Sequence, residues 1–172
     1  MTVSIFIAIA LASCGGKLQP TEQPTSPNIA SAVISNATSF AQNAPDSETS
    51  EQQKAAQVIR HYYNAINRKD YRSAYADWAN NGAASNQSFE QFRRGFANTA
   101  SVNVVIGKPG RIDGAAGSLY VEIPVTITAK TVNGQTQHFT GSYTLRRIND
   151  VPGSTPEQRR WHLYSAKITQ VN

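Results

Sequence analysis

One acidic residue of this sequence lies inside a run of aromatic residues. Asp77 directly precedes Trp78 and follows Tyr75 by two positions. A carboxylate among apolar rings has a raised pKa and can act as a general base, with a tyrosine as the proton donor. The alternative is an ordinary solvated carboxylate on a helix surface, where most aspartates lie. We assign no catalytic residue, and Asp77 is the candidate that would take this role in an enzyme.

The other residues with catalytic or metal-binding chemistry form no recognisable motif. Glu122 falls on the polar face of a predicted strand, and Asp113 and Asp150 fall in predicted loops. His138 and His162 lie on predicted strands and could face each other across a sheet. We expect no cofactor, because the glycines of 107–117 lack the strand-loop-helix context of a phosphate-binding loop. We also expect no metal, because the three histidines are too far apart in sequence for ordinary metal-ligand spacing: His61, His138 and His162.

The only cysteine follows a short apolar segment near the start of the chain. Val3 to Ala12 is a continuous run of ten small and apolar residues, and Ser13 and Cys14 come next. Such a run is too short to span a bilayer, which takes about 20 residues, but it fits the apolar region of a secretory signal. A single cysteine also excludes a disulfide within the chain.

The run Leu11-Ala12-Ser13-Cys14-Gly15 resembles the lipobox of bacterial lipoproteins. The resemblance implies that the Cys14 thiol takes a diacylglyceryl group, that cleavage follows Ser13, and that the new amino group is acylated. Two or three acyl chains on one residue satisfy the requirement for stable anchoring. Gly15, at the second position after cleavage, is similar to signals that sort lipoproteins to the outer membrane. The segment departs from the usual pattern in one respect, because no Lys or Arg precedes Lys17 where a positively charged n-region is expected. We therefore expect an envelope protein, anchored through Cys14 and facing the periplasm.

Composition divides the chain into three parts. Residues 1–13 are the predicted signal peptide, residues 14–50 a flexible tether rich in Gln, Pro, Thr and Ser, and residues 51–172 one folded domain. Hydrophobic residues make up 40% and charged residues 16% of the chain, enough for an apolar core. The net charge of +5 is scattered rather than clustered, so we expect no nucleic-acid partner.

Apolar residues recur at helical spacing in the first half of the predicted domain. Glu51 is expected to open it, with a first helix that buries one face and ends near Asn67. Asp70 is a predicted N-cap for a second helix, and Ser88 with Gln91 predicts a capping box for a third. The first helix should bury five residues: Ala55, Val58, Ile59, Tyr62 and Ile66.

The second half has the alternation of strands. Strands are predicted at 102–106, at about 119–128, at about 135–148 and at about 160–171, while 107–117 is predicted to be a loop. Asn133-Gly134 predicts a two-residue hairpin turn of the primed type. Three helices followed by about four antiparallel strands predict an α+β fold, with the helices on one sheet face.

Three short segments resemble the nuclear transport factor 2-like superfamily: Tyr62-Tyr63, Lys69-Asp70-Tyr71 and Ala74 to Trp78. The resemblance implies a curved sheet wrapped round the helices, forming a cone with a pocket at its mouth. Isomerase- and cyclase-like members of this superfamily use a carboxylate base in the pocket. Most aromatic residues here have a simple interpretation as core, and the pocket candidates are Tyr63, Tyr75 and Trp78.

Three functions remain open from the sequence. The first is a non-enzymatic, lipid-anchored module that binds an envelope protein or a small apolar ligand. The second is a small isomerase- or cyclase-type enzyme that uses Asp77 as base. The third is a cell-wall-associated accessory domain whose basic surface meets an anionic polymer.

Overall fold

The structure, a computed structural model, describes residues 44–171, with side chains from Ser47 onward. The predicted signal peptide, Cys14 and most of the predicted tether lie outside these residues. In the described part, three α-helices precede five β-strands, an α+β arrangement. No helix in this part is both long enough and apolar enough to cross a membrane.

The first helix begins at Ala44, earlier than the predicted start at Glu51. Pro45 therefore falls at the beginning of this helix rather than breaking the chain before it. Proline is tolerated there because the first backbone N–H groups of a helix have no intrahelical acceptor. A short 3₁₀ helix, Ala83–Ser85, lies between the last two of the three α-helices: α1 Ala44–Asn67, α2 Tyr71–Ala76 and α3 Phe89–Gly95.

Local capping sets the starts of the two short helices, as the sequence predicted. The Ser73 N–H donates to Asp70 Oδ1 at 3.2 Å, so Asp70 is the N-cap of α2. Ser88 and Gln91 form the reciprocal capping box of α3. Each such cap contributes about 1 kcal/mol to stability.

The five strands are β1 Thr99–Ile106, β2 Ile112–Ala115, β3 Ser118–Thr131, β4 Thr136–Ile148 and β5 His162–Val171. They form one antiparallel sheet in the order β1-β3-β4-β5. Strands β1 and β2 share one edge of β3, each pairing with a different half of it. Residues 163 and 77–79 also pair, so α2 leads into the edge of β5.

The prediction of four strands was wrong by one, because β2 lies in the segment predicted as a loop and includes Asp113. A two-residue turn at Ala116 and Gly117 joins β2 to β3, with φ of 47° and 75°. Positive φ at both central residues is the requirement of a type I′ turn. Alanine rarely adopts this conformation, so the sequence carried no hairpin signal there.

The turn at Asn133-Gly134 is not of the primed type that the sequence predicts. Only Gly134 has positive φ in this loop, at 84°. The Gly134 N–H donates to the Thr131 carbonyl at 3.0 Å, and the Thr131 N–H donates to the Gln135 carbonyl at 2.9 Å. This pattern fits a turn centred on residues 132–133 followed by a left-handed glycine bulge.

Proline occurs inside a central strand at Pro124, where a missing N–H would normally cost a ladder hydrogen bond. Pro124 lies at the gap between β1 and β2, because β1 pairs with β3 from Val125 onward and β2 only as far as Val121. The Pro124 carbonyl accepts from Gly107 N at 2.8 Å on that same edge. The missing donor therefore faces the end of β1, where the ladder is already interrupted.

The helices and the inner face of the sheet share one apolar core. The face predicted for α1 is confirmed, with Val58 half-buried and the other four residues buried. Burying a side chain of the size of leucine contributes about 1.5–3 kcal/mol. The largest aliphatic side chains with no exposed surface are Ile59, Ile66, Ile123, Leu145 and Leu163.

Candidate functional site

Five aromatic rings fill the interior between the helices and the sheet. The Tyr62 ring lies 4.9 Å from Tyr63 and 6.2 Å from each of Trp78, Phe92 and Tyr143, measured between ring centroids. All five side chains are buried. We call these residues the aromatic cluster. Edge-to-face pairs of this kind add about 0.5–1.5 kcal/mol each beyond the area they bury.

One pair of polar atoms in the aromatic cluster is satisfied internally, whereas the buried Trp78 Nε1 has no hydrogen-bond partner in the described part of the chain. The Tyr63 and Tyr143 hydroxyl oxygens are 2.7 Å apart and share a hydrogen bond. Burial raises the pKa of both phenols, and of Tyr62, well above the ordinary value. Apart from tyrosine and tryptophan, the buried polar side chains among residues 47–171 are Thr99 and Ser118. No carboxylate or imidazole of the described part is therefore buried here to act as a base.

Asp77 lies outside the aromatic cluster, at the C-terminal end of α2. Its carboxylate oxygens are 2.8 and 3.0 Å from His61 Nδ1 on α1. The Asp77 side chain is 12% exposed and that of His61 is 53% exposed. Burial raises the pKa of Asp77, although the hydrogen bond from His61 opposes this shift. Tyr75 has another partner, since its hydroxyl donates to the Gln87 carbonyl at 2.7 Å.

Two adjoining cavities form a surface groove beside this carboxylate. Their volumes are about 390 and 570 Å³, within the size range of small-molecule sites. Both are lined by Ala76, Arg147 and His162. We call their combined lining the rim groove; it joins α1, the end of α2, the end of β4 and the segment 155–162. Its other charged side chains are Glu51, Lys54, Asp77, Arg146, Glu157, Arg159 and Arg160.

Glu51 organises one wall of the rim groove. It contacts Lys54 at 2.6 Å and Arg147 Nε at 3.1 Å, and it accepts a hydrogen bond from Trp161 Nε1 at 3.0 Å. Burial alone would raise the pKa of Glu51, but the hydrogen bonds from Lys54 and Trp161 and the Arg147 charge lower it below the ordinary value. Glu51 is therefore ionised at neutral pH and forms an ion pair with Arg147, although the buried Arg147 Nε lacks the geometry of a hydrogen bond to it.

A second acidic residue of the rim groove, Glu157, also pairs with basic side chains. Glu157 contacts Arg160 at 2.9 Å and His162 Nε2 at 2.9 Å. The hydrogen bond with His162 and the charge of Arg160 lower the pKa of Glu157. Arg159 pairs with Asp150. These exposed pairs contribute little stability, up to about 1 kcal/mol each, but they leave most cations of the groove partnered.

The structure separates the site residues that the sequence singled out. Tyr63 and Trp78 belong to the buried aromatic cluster and Tyr75 packs against it, and none of the three lines either cavity. The expectation that His138 and His162 face each other was wrong, since they pair with Val171 and Arg146 at opposite ends of the β4–β5 ladder.

Sequence reasoning missed the rim groove because its lining is distant in sequence. Residues 51–58, 76–81, 146–148 and 155–162 meet only in the folded chain. The pairs Arg146-Arg147 and Arg159-Arg160 were the local signal available. Because the positive charge is scattered along the sequence, these pairs indicated no binding site.

The architecture is that of solved nuclear transport factor 2-like proteins, whereas no family model matches the sequence and no curated protein matches it at a significant level. A candidate dehydratase of the NTF2-like family from Streptomyces avermitilis aligns with a TM-score of 0.51, 14% identity, and coverage of 75% of this chain and 99% of that one. A candidate scytalone dehydratase from Novosphingobium aromaticivorans aligns with a TM-score of 0.51 and 10% identity, covering 74% of this chain and 89% of that one. An NTF2-like superfamily protein from Salmonella enterica aligns with a TM-score of 0.50 and 15% identity, covering 71% of this chain and 92% of that one. At these identities the similarity establishes the fold alone.

Proposed function

We propose that this protein is a lipid-anchored module of the bacterial envelope that binds its ligand without catalysis, in the rim groove. The observation that carries the proposal is the aromatic cluster, whose five rings occupy the interior between helices and sheet. A general base and a reachable substrate are requirements of an isomerase-type site. The interior supplies neither a buried carboxylate nor an imidazole among the described residues.

Anchoring through Cys14 is the second part of the proposal, supported by the sequence Leu11-Ala12-Ser13-Cys14-Gly15. We expect membrane-extracted protein to begin at Cys14 and to carry added acyl mass, because two or more acyl chains are needed for stable attachment. In Cys14→Ala the added mass and the membrane association should both be lost. Intact-mass measurement beside cell fractionation checks this, and an unmodified wild-type chain that retains residues 1–13 would contradict it.

The binding part is tested in the same cells with a photo-crosslinking side chain at position 76. Ala76 is exposed and lines both cavities. The control position is Val105, 60% exposed on β1 and outside the lining of both cavities. We expect adducts with envelope material from position 76 that are absent from position 105. Equal labelling at both positions would contradict binding in the groove.

A second candidate function rests on the Asp77–His61 pair. The Asp77 carboxylate is mostly buried, has a raised pKa and lines a cavity, and these are properties of a general base. Two of the solved structures with this fold are described as candidate dehydratases. In such a reaction the pair would take the proton next to a carbonyl and return it to a leaving hydroxyl, so that water departs. His61 does not line the cavity and is half exposed, which favours the binding function.

The variant Asp77→Asn separates these two functions. For a binding module, we expect neither the wild type nor the variant to dehydrate a simple β-hydroxyketone above background. We also expect the variant to have an equal or higher Tm at neutral pH, with a difference that shrinks as the pH falls. The reason is that burial raises the pKa of Asp77 despite His61, His162 and Arg160 nearby, so the folded wild type binds a proton more readily than the unfolded chain and gains stability on acidification.

Calorimetric scans across a pH series check this prediction. Asp113→Asn, at an exposed position on β2, is the control for removing one negative charge. Turnover by the wild type that disappears in Asp77→Asn without a loss of Tm would replace the binding function by the enzymatic one.

A further inference from the structure

Arg146 differs from the other arginines of the rim groove in having no acidic partner. Arg147, Arg159 and Arg160 each contact a carboxylate. Within residues 47–171 no carboxylate lies within ion-pair distance of Arg146. Its Nε and one terminal nitrogen donate instead to the buried Ser118 hydroxyl, at 3.1 and 2.9 Å. Its charge is thus held in place by a neutral acceptor and is left available to a ligand.

Two tyrosine rings flank this guanidinium on the sheet face opposite the core. Arg146 Cζ is 5.9 Å from the centroid of the Tyr120 ring and 5.6 Å from that of Tyr164. The two rings contact each other edge to face at 5.6 Å. Tyr164 is 40% exposed. It is the extra residue of a β-bulge, since Leu145 pairs with Leu163 while Thr144 pairs with Ser165. A bulge re-aims a side chain relative to a regular strand.

The larger cavity continues from Arg146 with neutral hydrogen-bonding groups. Its lining includes Asn80, Asn81, Thr155 and Gln158. Amide and hydroxyl groups of this kind donate and accept hydrogen bonds with hydroxyl-rich ligands. The larger cavity therefore combines one planar cation without an acidic partner and several neutral polar groups. Tyr120 and Tyr164 line neither cavity and lie beside it through their contact with Arg146.

We propose that the rim groove, together with Tyr120, Arg146 and Tyr164, binds an acidic oligosaccharide; this inference rests on the binding function proposed above. The guanidinium takes the carboxylate or phosphate group of the sugar in bidentate fashion. A tyrosine ring covers the apolar face of a pyranose, and the amides of Asn80, Asn81 and Gln158 meet its hydroxyls.

The acidic residues of the groove argue against a nucleic acid as the ligand. Glu51, Asp77 and Glu157 line the groove together with its cations. A nucleic acid carries a negative charge at every nucleotide and is bound by grooves of continuous positive charge. A ligand with spaced acidic groups avoids this repulsion, as an oligosaccharide does when its acidic groups are separated by neutral rings.

Calorimetric titration of the folded protein at physiological ionic strength tests the inference. The probes are a hyaluronan hexasaccharide, in which neutral N-acetylglucosamine rings separate the carboxylate-bearing rings, a mannopentaose bearing one phosphate, neutral maltohexaose and a thymidine oligonucleotide of matched charge. We expect the hyaluronan hexasaccharide or the phosphorylated mannopentaose to bind, with the stronger of the two identifying the acidic group. Maltohexaose should bind at least about tenfold more weakly, since it cannot make a charge-assisted bidentate contact. The oligonucleotide should also bind more weakly, because its closely spaced phosphates meet the carboxylates of Glu51, Asp77 and Glu157.

Two variants and a matched control locate the contact. Arg146→Gln should weaken binding of the acidic sugar by about tenfold or more, and Tyr164→Ala by about threefold to tenfold. Lys130→Gln, an exposed cation at the far end of β3, should change it by less than about twofold. Because Tyr164 is 40% exposed, its variant keeps the test valid if Arg146→Gln does not fold.

Failure of both acidic sugars to bind would overturn the inference, as would equal binding of the oligonucleotide or equal losses in Lys130→Gln and Arg146→Gln. If crosslinks from position 76 persist in that case, the groove binds another class of ligand and the proposed function stands. If those crosslinks are also absent, the proposed function fails as well.

Discussion

Tyr143→Ala is expected to lower the free energy of unfolding by about 3–5 kcal/mol, the usual cost of deleting a large buried aromatic side chain. The ring contacts Tyr62, Tyr63 and Trp78 at centroid distances of 6.1 to 6.3 Å. Its removal leaves a cavity in the interior and deprives the buried Tyr63 hydroxyl of its partner. Since a domain of this size has about 5–15 kcal/mol of stability in total, this single change removes a large share. Urea unfolding followed by circular dichroism measures it.

Two further variants separate packing from hydrogen bonding. Tyr143→Phe keeps the ring and removes the hydroxyl, so it should cost only about 1–3 kcal/mol, the penalty of an unsatisfied buried polar group. Tyr164→Ala, at an exposed position, should cost much less than Tyr143→Ala. Small apolar molecules such as benzene or indole should raise the Tm of Tyr143→Ala and not that of the wild type, because ligands that occupy a dry cavity stabilise the folded state. Equal Tm increases in both proteins would mean that the wild-type interior is already hollow.

Gly141→Ala is expected to cost about 3 kcal/mol or more, or to prevent folding, because the added methyl overlaps backbone. A Cβ at position 141 would lie 1.9 Å from the Lys167 carbonyl oxygen and 2.9 Å from Ile168 Cα. Gly141 pairs with Ile168 across β4 and β5. No rotation of a side chain relieves such a contact, so β5 itself must move. Because β5 also carries Leu163 and Tyr164, the displacement reaches both the core and the groove.

The matched control for Gly141→Ala is Gly95→Ala. Gly95 is the last residue of α3, and a Cβ there meets no other atom within 4 Å. Alanine is the better helix former by about 1 kcal/mol, so this variant should be as stable as the wild type or slightly more so. Equal Tm values for Gly141→Ala and the wild type would show that β4 and β5 lie further apart than described.

The elements that depend on local chemistry were predictable from the sequence. Asp70 caps α2 and Ser88 with Gln91 caps α3 because each contact spans only three residues. The aromatic residues that share a helix face are likewise buried or partly buried together. The position of β2 was not predictable, since Ala116 adopts a conformation that alanine disfavours and pairing with β3 compensates for it.

The candidate site depends on contacts between distant parts of the chain, and these were not predictable. The partner of Asp77 is His61, sixteen residues earlier, rather than the nearby Tyr75. Trp161 donates to Glu51 across 110 residues. Whether Tyr63 and Trp78 line a pocket or fill it is decided by the position of Tyr143 on β4, because all three rings meet in the interior. No spacing rule in a single sequence carries that information.

The central claim is that the interior is filled and closed to solvent, and an alkaline titration of the tyrosines tests it most directly. Burial raises the pKa of Tyr62, Tyr63 and Tyr143, so the unfolded chain releases protons above about pH 10 that the folded protein retains, and stability falls as the pH rises. Tyrosinate absorbance and circular dichroism are recorded together. We predict that three of the seven tyrosines ionise only as the circular dichroism signal is lost. Ionisation of all seven while the fold persists would show that solvent reaches the interior and would contradict the account.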